Sequence, residues 1–172
     1  DMAYRVIEFI DPSVIRMTYG TRYHVSSSGE DWEDLLADKA GATIGSHEWY
    51  EVNGKIIDCK HKISSSQIPH GRFTPIAREI LWNREWSIDG SQPKADILLR
   101  SHCHYFSPIK YDGCTGMTLP AMQGFGSKYG ARECSGKVDI GFVIFDIYDN
   151  GEIQWQEVLA KTTTMQAKAE PL

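Results

Sequence analysis

Apolar positions fall into short runs separated by Gly, Pro, Asn and Asp, and their period changes along the chain. "VIEF", ahead of Asp11-Pro12, reads as the end of a helix or as a short strand that the proline ring stops. "SVIRMTYG" predicts a strand from Val14 to Tyr19, closed by Gly20. The acidic, amphipathic "SSSGEDWEDLLADKAGA" predicts a helix from near Gly29 to Gly41, with Trp32, Leu35 and Leu36 on its buried face. In "HEWYEVNGKIIDCKH" two alternating segments flank Asn53-Gly54, the pair preferred in a type I′ turn, so a hairpin is expected. The polar loop "SSSQIPHGR" leads into "FTPIAREILWNREW". There Ile76, Ile80 and Leu81, and less regularly Trp82 and Trp86, recur at a helical spacing, and Pro75 sits in the first turn, where a missing N–H is harmless. "KADILLR" is a short, almost wholly apolar strand, the pattern of a strand covered on both faces. After it come "GMTLPAMQ", a glycine-rich loop "GFGSKYG", and a long hairpin "VDIGFVIFDIYDNGEIQWQEV" that turns at Asp149-Asn150-Gly151. Residues 160–172 read as a flexible tail.

Strands separated by helices, with hairpins at the end, predict an α/β protein whose mixed sheet or sheets are covered by helices. With 172 residues, one domain over 1–172 is expected. A net charge of −5 argues against a protein that binds chiefly by neutralising a nucleic-acid backbone. No apolar run approaches the roughly 20 residues that span a bilayer, and no signal-peptide pattern opens the chain, so the expectation is a soluble cytoplasmic protein with no membrane partner. Cys59, Cys103, Cys114 and Cys134 form no CxxC pair and are expected to be reduced thiols.

The chemistry-bearing residues gather where strands end. His24 follows "TYGTRY", His61 follows "IIDCK", and His102 and His104 follow "ILLR". Ligands collect at the carboxyl ends of strands in α/β sheets. Two histidines at i and i+2 of an extended segment point to one side, so His102 and His104 address one site with Cys103 turned into the packing, or else cap the strand by bonding to backbone groups. His61 adds a third imidazole, a nitrogen-rich set suited to Zn²⁺ or Mn²⁺. His24 is a candidate proton donor to a leaving group. His47 stands out less. In "IPHGR", Arg72 offers a planar fork for phosphate oxygens, and His70 beside it is a second phosphate contact or a plain loop residue. GxGxxG after the first strand, GxxxxGK[ST] and GxSxG are all missing, which leaves nucleotide cradles and serine hydrolases without their residues.

In order, "GTRYH", the hairpin ending in "DCKH", and "ADILLRSHCHYF" resemble the C-terminal half of calcineurin-like metallophosphoesterases, over roughly residues 14–148. "GEDWED", "IPHGR", "REILWN" and "MTLPAMQ" look like the variety found in bacterial and phage genomes. The resemblance implies part of a four-layer αββα sandwich and a metal-dependent phosphatase or phosphodiesterase with two Mn²⁺ or Zn²⁺ ions in a complete site. It implies that His61 and His102 bind one metal and His104 the other, with His24 the catalytic histidine, displaced by two residues, or a substitute ligand. Arg72 and His70 would meet the phosphoester substrate. Ser101 stands where the family has glycine and Thr21 where it has a metal-binding asparagine. The Asp-x-His and Gly-Asp-x-x-Asp motifs of the family's first half do not occur, so the chain is expected to be the C-terminal portion of a domain whose sheet a preceding segment or another chain completes. Two other functions compete: a non-catalytic remnant acting as a binding or assembly subunit, and a mononuclear structural zinc protein using His61, His102 and His104.

Overall fold

The structure, a computed structural model, describes residues 2–66, 68–122 and 138–160. Element order is α1 (Met2–Ile10), β1 (Arg16–Thr18), α2 (Trp32–Ala40), β2 (Thr43–Gly45), β3 (His47–Val52), β4 (Lys55–Lys60), α3 (Thr74–Ile88), β5 (Ile97–Arg100), β6 (Ser107–Tyr111), β7 (Cys114–Thr118), β8 (Gly141–Ile147) and β9 (Ile153–Leu159). Two 3-10 turns, Arg22–His24 and Pro69–Gly71, punctuate the loops. The class is the expected one, mixed α/β with sheets flanked by helices.

The main sheet has the order β3-β4-β5-β7-β6, with β4, β5 and β7 mutually parallel and antiparallel hairpin strands at both edges. "DILLR" takes its central place. Ile97, Leu98 and Arg100 of β5 are buried, as a strand covered on both faces requires. Both edge hairpins turn on a two-residue pair with positive φ: Asn53 (48°) and Gly54 (72°), then Asp112 (49°) and Gly113 (76°). Parallel β1 and β2 form a separate small sheet beside α2, and β8 and β9 form the expected long hairpin.

Several sequence expectations need correction. Of the two readings open for the segment before Asp11-Pro12, the helix is the one found, while the strand expected over Val14–Tyr19 pairs only at Arg16–Thr18. Helix α2 begins at Trp32 because Asp31 caps it, accepting from Glu33 N at 3.0 Å, and it ends at Gly41 in the left-handed region (φ 65°). The inward face of α2 carries Glu33, Leu36, Ala37 and Ala40, while Trp32 and Leu35 are exposed at 57% and 48%. Helix α3 likewise buries Ile76, Ile80 and Asn83 and leaves Leu81, Trp82 and Trp86 outside. Asn83 is inward because it ties the helix to β5, donating to Pro93 O (3.0 Å) and accepting from Ala95 N (2.9 Å). Trp82 and Trp86 stack on each other, centroids 5.4 Å apart.

Ile63, Ile76, Ile80, Ala95, Leu98 and Cys114 form the core between α3 and the sheet, with Cys103 packed against it as expected. Gly116 of β7 lets α3 approach, since a Cβ there would fall 2.8 Å from Ile80 Cδ1. Cys59, Cys103 and Cys114 are free, and burial pushes each thiol up to about 11, leaving no ready thiolate at neutral pH. No helix among the described residues is long and apolar enough to cross a membrane. The glycine-rich loop 124–130, Cys134 and the tail 161–172 lie outside the described residues.

Candidate functional site

Three chain segments deliver four imidazoles to one place. His24 ends the 3-10 turn Arg22–His24, His61 directly follows β4, and His102 and His104 sit in the loop after β5. The His24 and His61 rings meet edge-to-face with centroids 4.9 Å apart, and His61 meets His102 in the same way at 5.3 Å. His104 lies close enough to add its charge to the field at His61 and at His102. Strand register explains the gathering. β4 and β5 run parallel with Lys60 opposite Arg100, so the residues that follow each strand emerge at the same sheet edge. Ser101 N donates to His61 O at 3.0 Å and fastens the two segments together.

The loop 101–106 is not the extended segment that the spacing suggests. His102 and His104 both have positive φ, 72° and 58°, uncommon for residues with a Cβ and typical of functional loops held by their surroundings. The surroundings are specific. Cys103 N donates to Ser101 O (2.8 Å), Asp139 N donates to His104 O (2.9 Å), and Asp139 Oδ2 accepts from Phe106 N (2.9 Å). Asp139, some thirty residues downstream and without a motif, thereby braces the loop.

Burial and neighbouring positive charge favour the neutral form of His61, His102 and His104. Desolvation, followed by the charges of His24, His102 and His104, pushes His61 down to about 4. Desolvation first and neighbouring positive charge second also lower His102 and His104. Neutral imidazole is the metal-binding form. Burial raises the Glu33 carboxyl, opposed by the hydrogen bond and charge of His24, whose Nδ1 contacts Glu33 Oε1. Three buried polar atoms here have no hydrogen-bond partner: His61 Nε2, Thr21 Oγ1 and Glu33 Oε2. Unpartnered buried polar atoms are costly and call for an explanation, an unseen ligand being one.

The donor chemistry therefore fits the imidazole side of a late first-row metal site, with His61 Nε2 the orphaned donor. As arranged, no group of three or more His, Cys, Asp or Glu among the described residues stands close enough together to hold an ion. Arg72 is half-buried at the flank, its guanidinium 4.9 Å over the Tyr105 ring and its Nε without a partner. His70 is exposed on the turn Pro69–Gly71, at the surface. His47, unremarkable by sequence, donates from Nε2 to the buried carboxylate of Asp58 at 2.9 Å, far from a plain surface role.

Glu33 escapes a sequence reading that puts Trp32 and Leu35 on the buried face of α2. Glu33 shares a face with Leu36, Ala37 and Ala40 at helical spacing, and an acidic residue on that face is the available signal. Strand β6 had a signal as well, since Asp112-Gly113 is the same turn chemistry as Asn53-Gly54.

No family profile matches the chain, and no curated protein matches it. Solved structures do. A novel archaeal phosphodiesterase aligns over 91% of this chain and 76% of its own, at 13% identity and a TM-score of 0.50. Zn²⁺-complexed wild-type Vps29 from Entamoeba histolytica aligns over 89% and 88%, at 16% identity and 0.46, and Chaetomium thermophilum Vps29 over 90% and 87%, at 9% and 0.45. The alignment with the archaeal phosphodiesterase shows that this chain has the calcineurin-like metallophosphoesterase fold.

Proposed function

We propose that this chain, with its calcineurin-like metallophosphoesterase fold, carries the histidine side of a metal-dependent phosphoester hydrolase site acting on a phosphodiester or phosphomonoester. The observation that supports this reading is the convergence of His24, His61, His102 and His104 around an unpartnered, buried His61 Nε2. His61, His102 and His104 would hold Mn²⁺ or Zn²⁺, neutral at pH 7 and so able to bind without first losing a proton. When bound, such an ion polarises a phosphoryl oxygen and acidifies water. His24 exchanges a proton with the reacting oxygens through Nε2, the ring nitrogen that Glu33 does not engage. Arg72, stacked on Tyr105 and with Nε unpartnered, presents its fork to a phosphoryl oxygen. His70, on the surface beside it, would touch only a substrate that extends outward.

The test is hydrolysis of bis(p-nitrophenyl) phosphate with added Mn²⁺ or Zn²⁺ by wild type and His102→Ala. Metal-stimulated hydrolysis that drops by about 10–100-fold in the variant supports the reading. Equal rates in the two proteins defeat it.

A second reading, a binding or assembly subunit, is favoured by one observation: no group of three or more His, Cys, Asp or Glu among the described residues is arranged closely enough to hold an ion. It predicts metal binding with no hydrolysis, as does a structural zinc site. A zinc-loaded protein that hydrolyses no phosphoester, but whose fold collapses on chelation, would select the structural zinc reading.

A further inference from the structure

The proposed role of His24 needs its ring held one way round, and the structure contains a device that does so. The loop after His24 is closed by an antiparallel bridge between Val25 and Asp31 and by Ser26 N donating to Glu30 O at 2.7 Å. Asp31 then caps α2, which fixes Glu33 in the first turn on the inward face. From there Glu33 Oε1 contacts His24 Nδ1, with the Glu33 side chain 16% exposed. The pair occupies space that only a glycine leaves open: a Cβ on Gly20 would lie 2.7 Å from Glu33 Oε1 and closer still to His24 Nδ1.

We propose that Glu33 is a positioning residue for His24: by accepting a hydrogen bond from Nδ1–H, it fixes the tautomer in which Nε2 carries the lone pair and serves the imidazole cluster. A neutral histidine has one donor and one acceptor nitrogen, and the partner of the first decides the role of the second. When Nε2 takes up a proton, the carboxylate also offsets the positive charge of the ring. Tautomer control stands on the contact itself, and its benefit to turnover rests on the hydrolase reading above.

Long-range ¹H–¹⁵N correlation spectra of metal-free protein labelled with ¹⁵N-histidine read the tautomer directly. The wild type is expected to show His24 protonated on Nδ1. Glu33→Ala should move the proton toward Nε2, and Gly20→Ala, which keeps both partners but crowds them apart, should do the same, with the His47 resonances unchanged as the marker of an intact fold. A wild-type His24 protonated on Nε2, or a folded Glu33→Ala with an unaltered tautomer, overturns the proposal. If the wild type hydrolyses a phosphodiester, Glu33→Ala should lower kcat by about 10–100-fold with KM nearly unchanged, and Glu33→Asp should recover part of it. A wild type without hydrolysis sinks the hydrolase reading and leaves the tautomer result to stand or fall by itself.

Discussion

Arg100 Nη1 lies 2.6 Å from Asp58 Oδ1 across the parallel pair β4–β5, and their side chains are 2% and 0% exposed. The pair belongs to a larger polar group. His47 Nε2 is 2.9 Å from the same Asp58 oxygen, and Arg100 Nε reaches Glu79 Oε2 of α3 at 3.0 Å. Edge strand, two central strands and the covering helix are thus joined by charge, two residues before His102. Removing Arg100 strands a buried carboxylate, the most expensive outcome for such a pair. Arg100→Met is expected to lower the unfolding free energy by about 3–5 kcal/mol in urea titrations. Arg100→Met with Asp58→Leu should cost markedly less than Arg100→Met alone. Equal losses in the two proteins would show that burial of the charge was not the cause.

The same carboxylate sets an acid limit. Burial raises Asp58, but hydrogen bonds from His47 and Arg100, and the Arg100 charge, outweigh it and hold the carboxyl below the ordinary value. A depressed carboxyl contributes stability that is present above its unfolded pKa, about 3.9, and is lost as pH falls through the lower folded value. Urea midpoints measured from pH 6 down to 3 should therefore fall on acidification. The gap between wild type and Asp58→Asn should narrow below about pH 4. A gap that stays constant over that range would mean that Asp58 contributes no proton linkage.

The β3–β4 and β8–β9 hairpins, the helix after Pro75 and the buried strand β5 were legible in the sequence, because period and turn chemistry are local signals. Asn53-Gly54 and "ADILLR" carry their structure in a few residues. What escaped depends on contacts distant in sequence. Asp58 and Arg100 are 42 positions apart, and neither has a neighbour pattern that announces a buried ion pair. Asp139 braces the 101–106 loop from 33 positions away. The face of α2 escapes for a different reason: the sequence pattern places Trp32 and Leu35 inward with Leu36, whereas Glu33 turns inward to meet His24 and leaves Trp32 and Leu35 outside.

Metal addition tests the imidazole cluster apart from turnover. An ion that binds the folded chain alone stabilises it by about 2.7 kcal/mol at a concentration 100 times its Kd. Zn²⁺ or Mn²⁺ is expected to raise the melting temperature of wild type, EDTA to reverse the rise, and His61→Ala to abolish it, because His61 Nε2 is the buried donor without a partner. A melting temperature that shifts equally in His61→Ala would place binding elsewhere.

Gly116 is the point at which helix and sheet press together. A Cβ there would fall 2.8 Å from Ile80 Cδ1, 3.0 Å from Ile80 Cγ1 and 3.2 Å from Ile76 Cγ1, all closer than comfortable carbon contact. Ile76 and Ile80 are fully buried against α3's own core and have no solvent-side space to move into. Gly116→Ala should therefore destabilise the fold by about 1–3 kcal/mol, as overpacking does. Ile80→Val removes the terminal methyl that lies nearest the new Cβ, so Gly116→Ala combined with Ile80→Val should be less destabilised than the sum of the single variants. Chemical denaturation of the four proteins gives that coupling directly, and strict additivity would show that α3 relaxes away from β7 without resistance.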